Sequence, residues 1–355
     1  MQPVRPRSDY DKAMLKFIYT NGQRAVPGLK RAGAVCALIL YTGIANAAID
    51  TPALESIAER AGQLPRTHSF LVAIDGETVL AQGYRGHSVD AKANIKSLSK
   101  TLIATLVGAA IDRGVIDGVN QPIGDLLGPR MPQNVDARVA TITVGQLLSM
   151  QSGLERTSGA NYGSWVASRD WVANALQRPI VAEPGTRMLY STGNSHVLSA
   201  ILTRASGRST LALMRDWLGE PLGIDIPPWT RDPQGIYFGG NEMGMTPRAL
   251  LAFGEMIRRG GRIDDRQIIP ADWIEASWRG RTRSVYTGDA YGYGWFTTRL
   301  AGVTAHYGRG YGGQVLFVVP ERDMTVVMTS DPTPPSNGRY FARQATIVEA
   351  LIEAS

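Results

Sequence analysis

The chain has 355 residues, of which 44% are hydrophobic and 19% charged, a composition typical of a soluble globular protein with one large or two modest domains. Its formal net charge is +6, but residues 1–47 contain seven of the 37 basic residues and two of the 31 acidic ones, so the rest of the chain has a net charge of +1. This balance excludes a strongly electrostatic partner, and we expect no nucleic-acid binding.

Residues 1–47 have the pattern of an export signal. A basic pair, Lys30-Arg31, precedes an apolar run at 32–44, and small residues follow, which predicts cleavage after Ala47. The run is shorter than an ordinary membrane span, and an uncleaved anchor is the minor alternative. The single cysteine, Cys36, lies inside this run. We therefore expect a mature protein without disulfide bonds, periplasmic or secreted from a bacterium, with no stable membrane insertion after cleavage.

The first elements of the mature chain are a helix and a β-hairpin. Residues 52–62 have helical apolar spacing. Two apolar stretches, 69–74 and 77–81, flank the dipeptide Asp75-Gly76, which is typical of a two-residue hairpin turn. Apolar residues then recur at helical spacing over 102–111. This second helix is expected to be largely buried.

From 112 to 280 the pattern is one of helices and loops. Thr143 and Gln146 are spaced as a capping box, and the helix that they open is expected to end near Gly153. Thr246-Pro247 gives an N-cap and a first-turn proline to another helix, which is expected to end at Gly260-Gly261.

Strands return in the C-terminal part, and a helix from about 338 to 354 closes the chain. Strands near both chain ends with helices between them predict an α+β fold. We expect one antiparallel sheet domain, 48–111 with 281–355, flanked by helices, and an inserted helical domain, 112–280. The predicted C-terminal strands are 293–298, 303–308, 315–319 and 325–329.

The sequence from Ser97 to Lys100, at the start of the buried helix, contains the first candidate for catalysis. Residues three apart share a helix face, and a serine hydroxyl becomes a nucleophile when a base takes its proton. A lysine amine can be that base if burial lowers its pKa. No lysine follows Lys100, and arginine, which carries the later positive charges, cannot be a base. The alternative is that Ser97 caps the helix and Lys100 is solvated.

Two later stretches contain candidate partners for this serine. Tyr190 precedes an apolar helix, and a tyrosine held as phenolate beside a cationic lysine can relay protons. The glycine-rich stretch 306–314 enters a strong strand, where a substrate can approach the backbone and a strand N–H can join the N–H of Ser97 in an oxyanion hole. The alternatives are an aromatic packing residue and a glycine-rich turn between strands.

In this order, the three stretches resemble the boxes of the penicillin-recognising serine hydrolases, which include class C β-lactamases, DD-peptidases and related esterases and amidases such as 6-aminohexanoate-dimer hydrolase. The resemblance covers nearly all of the mature chain and implies a β-lactamase/transpeptidase-like fold. It implies that Ser97 is acylated, that Lys100 and Tyr190 transfer protons, and that the N–H groups of Ser97 and Gly312 form the oxyanion hole. The substrate-binding residues that it implies are Thr192, Arg309, Gly310 and Tyr311.

Departures from the family's boxes bear on the substrate. Thr192 stands where the family has an asparagine that holds a substrate amide, which weakens the case for β-lactams. Arg309 replaces a lysine or histidine and is expected to clamp a carboxylate, while Tyr311 replaces a glycine and narrows the cleft. These changes resemble the esterase and 6-aminohexanoate-dimer hydrolase branch. Trp165 and Trp171 are expected either to line the cleft or to have a structural role.

Other chemistries have no matching pattern. The chain lacks a G-x-S-x-G elbow, a phosphate loop and a dinucleotide fingerprint, and its histidines have no metal-ligand spacing. We therefore expect no metal and no cofactor, and we expect His196 and His306, which lie near the boxes, to be supporting or packing residues. The four histidines are His68, His87, His196 and His306.

The leading hypothesis is an exported serine hydrolase acting on a small-molecule ester, an amide or a short peptide. One alternative is a module on the same fold that binds peptidoglycan or peptide without turning it over. Another is β-lactamase or DD-peptidase activity proper. Acylation of Ser97 separates the first from the second, and assays with a β-lactam and a D-Ala-D-Ala peptide separate the third.

Overall fold

The computed structural model describes residues 49–335 and 337–355. The predicted export signal and its cleavage site lie outside these residues. Within them, no helix is long and apolar enough to cross a membrane.

The main sheet has eight antiparallel strands in the order β2-β1-β12-β11-β10-β9-β8-β7, and two further strand pairs, β3–β4 and β5–β6, lie outside it. The strands of the described residues are β1 (Thr67–Ile74), β2 (Glu77–Gly83), β3 (Ala93–Asn94), β4 (Gly244–Met245), β5 (Arg262–Ile263), β6 (Arg266–Gln267), β7 (Thr282–Arg283), β8 (Ala290–Tyr291), β9 (Phe296–Leu300), β10 (Val303–Gly310), β11 (Gln314–Val319) and β12 (Met324–Ser330).

Most helices lie between the two groups of sheet strands in sequence. The α-helices of the described residues are α1 (Thr51–Gln63), α2 (Ser99–Asp112), α3 (Ile123–Leu127), α4 (Ala137–Thr141), α5 (Val144–Leu148), α6 (Tyr162–Val166), α7 (Trp171–Leu176), α8 (Thr192–Ser206), α9 (Thr210–Met214), α10 (Glu220–Leu222), α11 (Pro247–Arg258), α12 (Ala271–Trp278) and α13 (Gly338–Ala354).

The sheet joins both ends of the described chain. β1 pairs antiparallel with β12, with Phe70 opposite Met328, so the first strand in sequence lies beside the last one. β1 also forms the predicted hairpin with β2, and its turn residues, Asp75 and Gly76, both have positive φ angles, 51° and 87°, as a two-residue hairpin turn requires. The prediction of an α+β fold with an antiparallel sheet built from both chain ends is confirmed.

Both faces of the sheet are buried at its central strands, β1, β12 and β11. On β1, Phe70 and Val72 belong to the core layer beneath α1 and α13, whereas Leu71 and Ala73 belong to the layer that continues into the helical part. Because successive strand residues point to opposite faces, a strand covered on both sides reads as an unbroken apolar run. This explains why 69–74 shows no polar alternation.

Helix α11 lies within the range 112–280 but packs on the sheet, against β1, β11 and β12. Gly254 permits this approach, since a Cβ there would lie 2.6 Å from Leu316 Cδ1 and from Thr325 Cγ2. The predicted division into a sheet domain and an inserted helical domain therefore stays a prediction, with α11 contributing to the sheet layer.

Two predicted element ends differ from the structure. The capping box of Thr143 and Gln146 is present, but α5 ends at Leu148 rather than near Gly153. Beyond it Met150 turns to a φ of 61°, and its carbonyl accepts from the Leu189 N–H, so a tertiary partner replaces the helical one. The strand predicted at 293–298 begins only at Phe296, because the preceding residues form the β8–β9 turn.

We expect Thr246→Ala to lower the free energy of unfolding by about 1 kcal/mol, because the Thr246 hydroxyl accepts from the Ala249 N–H (3.0 Å) at the start of α11 and an alanine leaves that N–H without its cap. Urea denaturation measures the change. The exposed Thr346 of α13 gives the control, because Thr346→Ala removes no cap and is expected to change stability by less than about 0.5 kcal/mol. Equal effects of the two substitutions would contradict the capping role.

Candidate active site

Ser97 lies in a 3₁₀ turn, Lys96–Leu98, that leads directly into α2. Its side chain is partly exposed, whereas α2 is buried from Ser99 to Ala110. The turn starts from an unusual backbone conformation, since Lys96 has a φ of 51°, and such conformations cluster at functional sites. The sequence thus places an accessible hydroxyl at the end of a buried helix.

Lys100, one turn further on, is 3% exposed. Its Nζ lies 2.9 Å from Ser97 Oγ, 3.2 Å from Thr192 Oγ1 and 2.7 Å from the Gly240 carbonyl oxygen. Burial lowers the pKa of this amine from 10.5 to about 7, because the charged form loses its hydration. The predicted pairing of Ser97 with Lys100 is therefore present, and the lysine is not solvated.

Thr192 is the first residue of α8 and is held in place from behind by Ser158. The Thr192 N–H donates to Ser158 Oγ (2.9 Å), and the two hydroxyl oxygens are also 2.9 Å apart. Ser158 and Gly240 are site residues that sequence reasoning missed. No sequence pattern marks Ser158 as a site residue, since it lies in a loop. For Gly240, the pair of consecutive glycines, Gly239-Gly240, was the one feature of the sequence that indicated a close backbone approach.

Tyr190, in the loop before α8, packs beside Lys100. Its ring centroid is 5.1 Å from Lys100 Nζ, and it packs in an aromatic group with Tyr286, Tyr291 and Phe296. Burial raises the pKa of Tyr190 to about 12, although the Ser97 hydroxyl and the charge of Arg309 act in the opposite direction. Desolvation therefore favours the protonated phenol over the phenolate that a cationic lysine could hold, and the proton-transfer role of Tyr190 stays a prediction.

Strand β10 closes the site on the sheet side. A Cβ on Gly310 would lie 2.2 Å from the Ile95 carbonyl oxygen, and one on Gly308 would lie 2.4 Å from Leu98 Cδ1. Only glycine permits this contact between β10 and the 3₁₀ turn Lys96–Leu98. We call this turn the nucleophile turn, after the role predicted for Ser97. Gly310, a predicted site residue, is thus placed directly against the segment that carries Ser97.

The Arg309 side chain points away from the turn that contains Ser97. Its guanidinium lies 4.4 Å from the ring centroid of Phe341 in α13, on the opposite face of the sheet from Gly308 and Gly310, because strand residues alternate in direction. The expectation that Arg309 clamps a substrate carboxylate beside Ser97 is therefore corrected. The positive charge of Arg309 still acts on Tyr190, because it offsets part of the rise in the Tyr190 pKa that burial causes.

Tyr311 and Gly312 form the turn after β10. The Tyr311 side chain is 48% exposed, which leaves it free to contact a substrate. Gly312 has a φ of 83°, and a Cβ there would lie 2.4 Å from Pro332 Cα, so this glycine fits closely against the segment after β12. The role of the Gly312 N–H in an oxyanion hole stays a prediction.

The two tryptophans do not line the cleft. Trp165 and Trp171 are buried and pack with His196 and Phe238, which is the structural alternative. His306 is also a packing residue, because its ring stacks on Trp278 at 3.9 Å and burial lowers its pKa to about 4. Among the described residues, no group of three or more His, Cys, Asp or Glu side chains could hold a metal ion.

Comparison with known proteins agrees with this geometry. The sequence model of the family described as Beta-lactamase matches residues 63–349. The chain belongs to the Beta-lactamase family. The match also covers all the site residues above, which lie in described parts of the chain.

Individual relatives extend the comparison. The chain is 26% identical over 313 residues to a 6-aminohexanoate-dimer hydrolase from Paenarthrobacter ureafaciens, covering 79% of this chain and 77% of the relative. It is similar in fold to a penicillin-binding protein homologue from Caulobacter crescentus, with a TM-score of 0.69 and 19% identity, covering 87% of this chain and 99% of the homologue. A family VIII carboxylesterase is also similar in fold, with a TM-score of 0.67 and 18% identity, covering 87% of this chain and 99% of the carboxylesterase. The family match and the similar amide hydrolase support a hydrolase of the penicillin-recognising family, and the two solved structures show the shared fold.

Gly310→Ala is expected to lower esterase or amidase activity at least about ten-fold, because its Cβ would collide with a backbone oxygen and displace β10 from the nucleophile turn. The control is Gly163→Ala in α6, where a Cβ meets nothing within 4 Å. Steady-state kinetics with a chromogenic ester, beside thermal melting, measure both. Wild-type activity in Gly310→Ala would show that the close approach is not needed.

Proposed function

We propose that the protein is an exported serine hydrolase that cleaves a small-molecule ester or amide through an acyl-enzyme on Ser97. The observation that carries this proposal is the 2.9 Å contact between Ser97 Oγ and the Nζ of Lys100, together with the lowering of the Lys100 pKa to about 7 by burial. A general base works best when its pKa lies near the operating pH. A partly exposed serine beside such an amine fits a nucleophile and its base.

The neutral form of Lys100 accounts for all three of its contacts. A neutral amine has two N–H donors and one lone pair. The donors face the Gly240 carbonyl and the Thr192 hydroxyl, neither of which requires a charge, and the lone pair is then left to accept the proton of Ser97. In acylation, that proton moves to Nζ as the bond between Ser97 Oγ and the substrate carbonyl carbon forms.

Tyr190 supplies the complementary proton. Because its phenol is protonated at neutral pH, it can donate to the leaving oxygen or nitrogen as the carbonyl C–O or C–N bond breaks, and it regains a proton from the Lys100 ammonium. Water then attacks the acyl-enzyme with the proton transfers reversed. The N–H groups of Ser97 and Gly312 are proposed to hold the oxyanion, with support from the close contact of β10 with the nucleophile turn.

The groups around Ser97 support a substrate class. The Thr192 hydroxyl contacts Lys100 and Ser158, and no side-chain amide stands there to hold the amide of a β-lactam. Two exposed aromatic side chains, Tyr286 (58% exposed) and Tyr311 (48% exposed), stand on elements beside the site, and Tyr286 packs edge-on against Tyr190. These features favour esters and amides with apolar or aromatic groups, in agreement with the names of the similar amide hydrolase and carboxylesterase.

Replacing Ser97 by Ala is expected to abolish turnover and covalent labelling while the protein remains folded, because the attacking oxygen is lost. Intact-mass spectrometry after treatment with a fluorophosphonate probe measures the labelling, and p-nitrophenyl esters of rising chain length act as competitors. The exposed Ser164 in α6 gives the matched control, Ser164→Ala. Absence of any adduct on the wild-type protein would instead favour a binding module that does not turn substrate over.

Replacing Lys100 by Arg is expected to lower kcat at least about 10²-fold, since arginine keeps the charge but cannot accept a proton. For the wild type, kcat/KM is expected to fall as the pH decreases through about 7, because Lys100 becomes an ammonium below its pKa. A pH–rate profile from 5 to 9 measures this dependence. A fully active Lys100→Arg variant, or a profile that is flat through 7, would contradict the base role.

A further inference from the structure

A short segment, residues 239–243, forms a cradle around the nucleophile turn. The Gly240 carbonyl accepts from Lys100 Nζ at 2.7 Å, and the Met243 carbonyl accepts from the Ile95 N–H at 2.9 Å. Between them, the Glu242 carboxylate accepts from Lys96 Nζ (2.9 Å) and from Asn94 Nδ2 (2.6 Å). This cradle segment therefore contacts the chain on both sides of Ser97.

The first two residues of the cradle segment are held closely between α2 and α8. A Cβ on Gly239 would lie 2.1 Å from the Ser195 carbonyl oxygen, and a Cβ on Gly240 would lie 2.8 Å from Ser195 Cβ and 3.1 Å from Lys100 Cγ. The position of the Gly240 carbonyl is thus set by how Gly239 packs on α8.

His196 contacts Gly239 from inside α8. Its side chain is fully buried, and the Gly239 N–H donates to His196 Nδ1 at 3.4 Å. Because a backbone N–H can only donate, Nδ1 must be an acceptor, and the ring proton is on Nε2. Nε2 in turn donates to Asp232 Oδ2 at 3.0 Å, so Asp232 selects the tautomer that can accept from Gly239.

Asp232 is itself fixed by its own loop. Its Oδ1 accepts from the N–H groups of Gln234 (2.9 Å) and Ile236 (2.8 Å). Burial acts to raise the pKa of Asp232, but the hydrogen bond from His196 and these backbone donors act to lower it, and the pKa is lowered. The buried carboxylate therefore stays ionised and remains an acceptor for Nε2.

We infer that Asp232 and His196 are positioning residues for catalysis, which act through Gly239 to hold the Gly240 carbonyl against Lys100. This inference rests on the proposed function, because it needs Lys100 to be the base. Neither residue contacts Ser97 or the reacting atoms. Their effect is on where the amine lies and on how readily it is protonated.

Asp232→Asn tests the tautomer directly. The side-chain amide is the same size as the carboxylate, and its oxygen can still accept from the loop N–H groups. Its NH₂ group, however, donates to His196 Nε2, which forces the ring proton onto Nδ1. Nδ1–H then faces the Gly239 N–H, and two donors cannot bond, so Gly239 and the adjoining carbonyl are displaced.

His196→Gln removes the same contact by another route. The glutamine amide keeps a donor for Asp232, so the carboxylate stays paired, but the ring nitrogen that accepts from the Gly239 N–H is removed. The control is Thr246→Ala, which lowers stability at the N-cap of α11 but removes none of the hydrogen bonds that the cradle segment makes to Lys100, Ile95, Lys96 or Asn94. Comparison at matched stability separates loss of positioning from general destabilisation.

The measurements are kcat and KM for a p-nitrophenyl ester, and kcat as a function of pH, for the wild type and the three variants. We expect both Asp232→Asn and His196→Gln to lower kcat at least about ten-fold with little change in KM, since a misplaced catalytic group affects the chemical step. We also expect the acid limb of their profiles to move to lower pH, because the Lys100 ammonium loses an acceptor. Thr246→Ala should retain wild-type kcat and the wild-type midpoint.

The acid limb can be assigned to Lys100 from its surroundings. The titratable ring that faces it, Tyr190, has a pKa of about 12, and on the neighbouring segments Lys96 forms an ion pair with Glu242. A variant that keeps wild-type kcat, or a midpoint that stays in place or moves upward, would overturn the positioning role. Failure of the wild type itself to form an adduct at Ser97 would instead overturn the proposed function.

Discussion

Burial of one amine is the constraint on which the rest of this site depends. Lys100 lies in the most buried helix of the sheet-facing core, and the loss of hydration moves its pKa from 10.5 to about 7. A lysine in water would be charged at neutral pH and could not accept a proton from serine. The apolar residues of α2 therefore serve two purposes, since they build the core and they lower the pKa of the amine that we propose as the base.

The same physical effect separates the roles of two titratable groups. Desolvation disfavours the charged form of each, so it lowers the pKa of Lys100 and raises that of Tyr190 to about 12. Above pH 7 the amine is then mostly neutral, as the proposed base requires, while the phenol stays protonated, as the proposed acid requires. Opposite shifts of two neighbouring groups are the pattern from which acid and base roles are assigned.

Glycines allow two separate parts of the chain, β10 and the cradle segment, to pack closely around Ser97 and Lys100. Gly310 brings β10 to Ile95, while Gly239 and Gly240 bring the cradle segment to α8 and α2. The turn also has strained residues on both sides of the contact, because Lys96 and Glu242 have φ angles of 51° and 63°, a conformation that typically costs about 1 kcal/mol or more. Their ion pair and the hydrogen bond from Asn94 offset this strain.

Local sequence patterns were enough to predict the Asp75-Gly76 hairpin, the capping box at Thr143, the closing helix, and the spacing of Ser97 and Lys100. These follow from turn chemistry, capping and helical periodicity, which act within a few residues. Which side chains meet depends on the fold of the whole chain. It turned Arg309 towards Phe341, and it brought Ser158, Gly240 and His196 towards Lys100. Strand alternation and long-range packing set these contacts, and neither can be read from neighbouring residues alone.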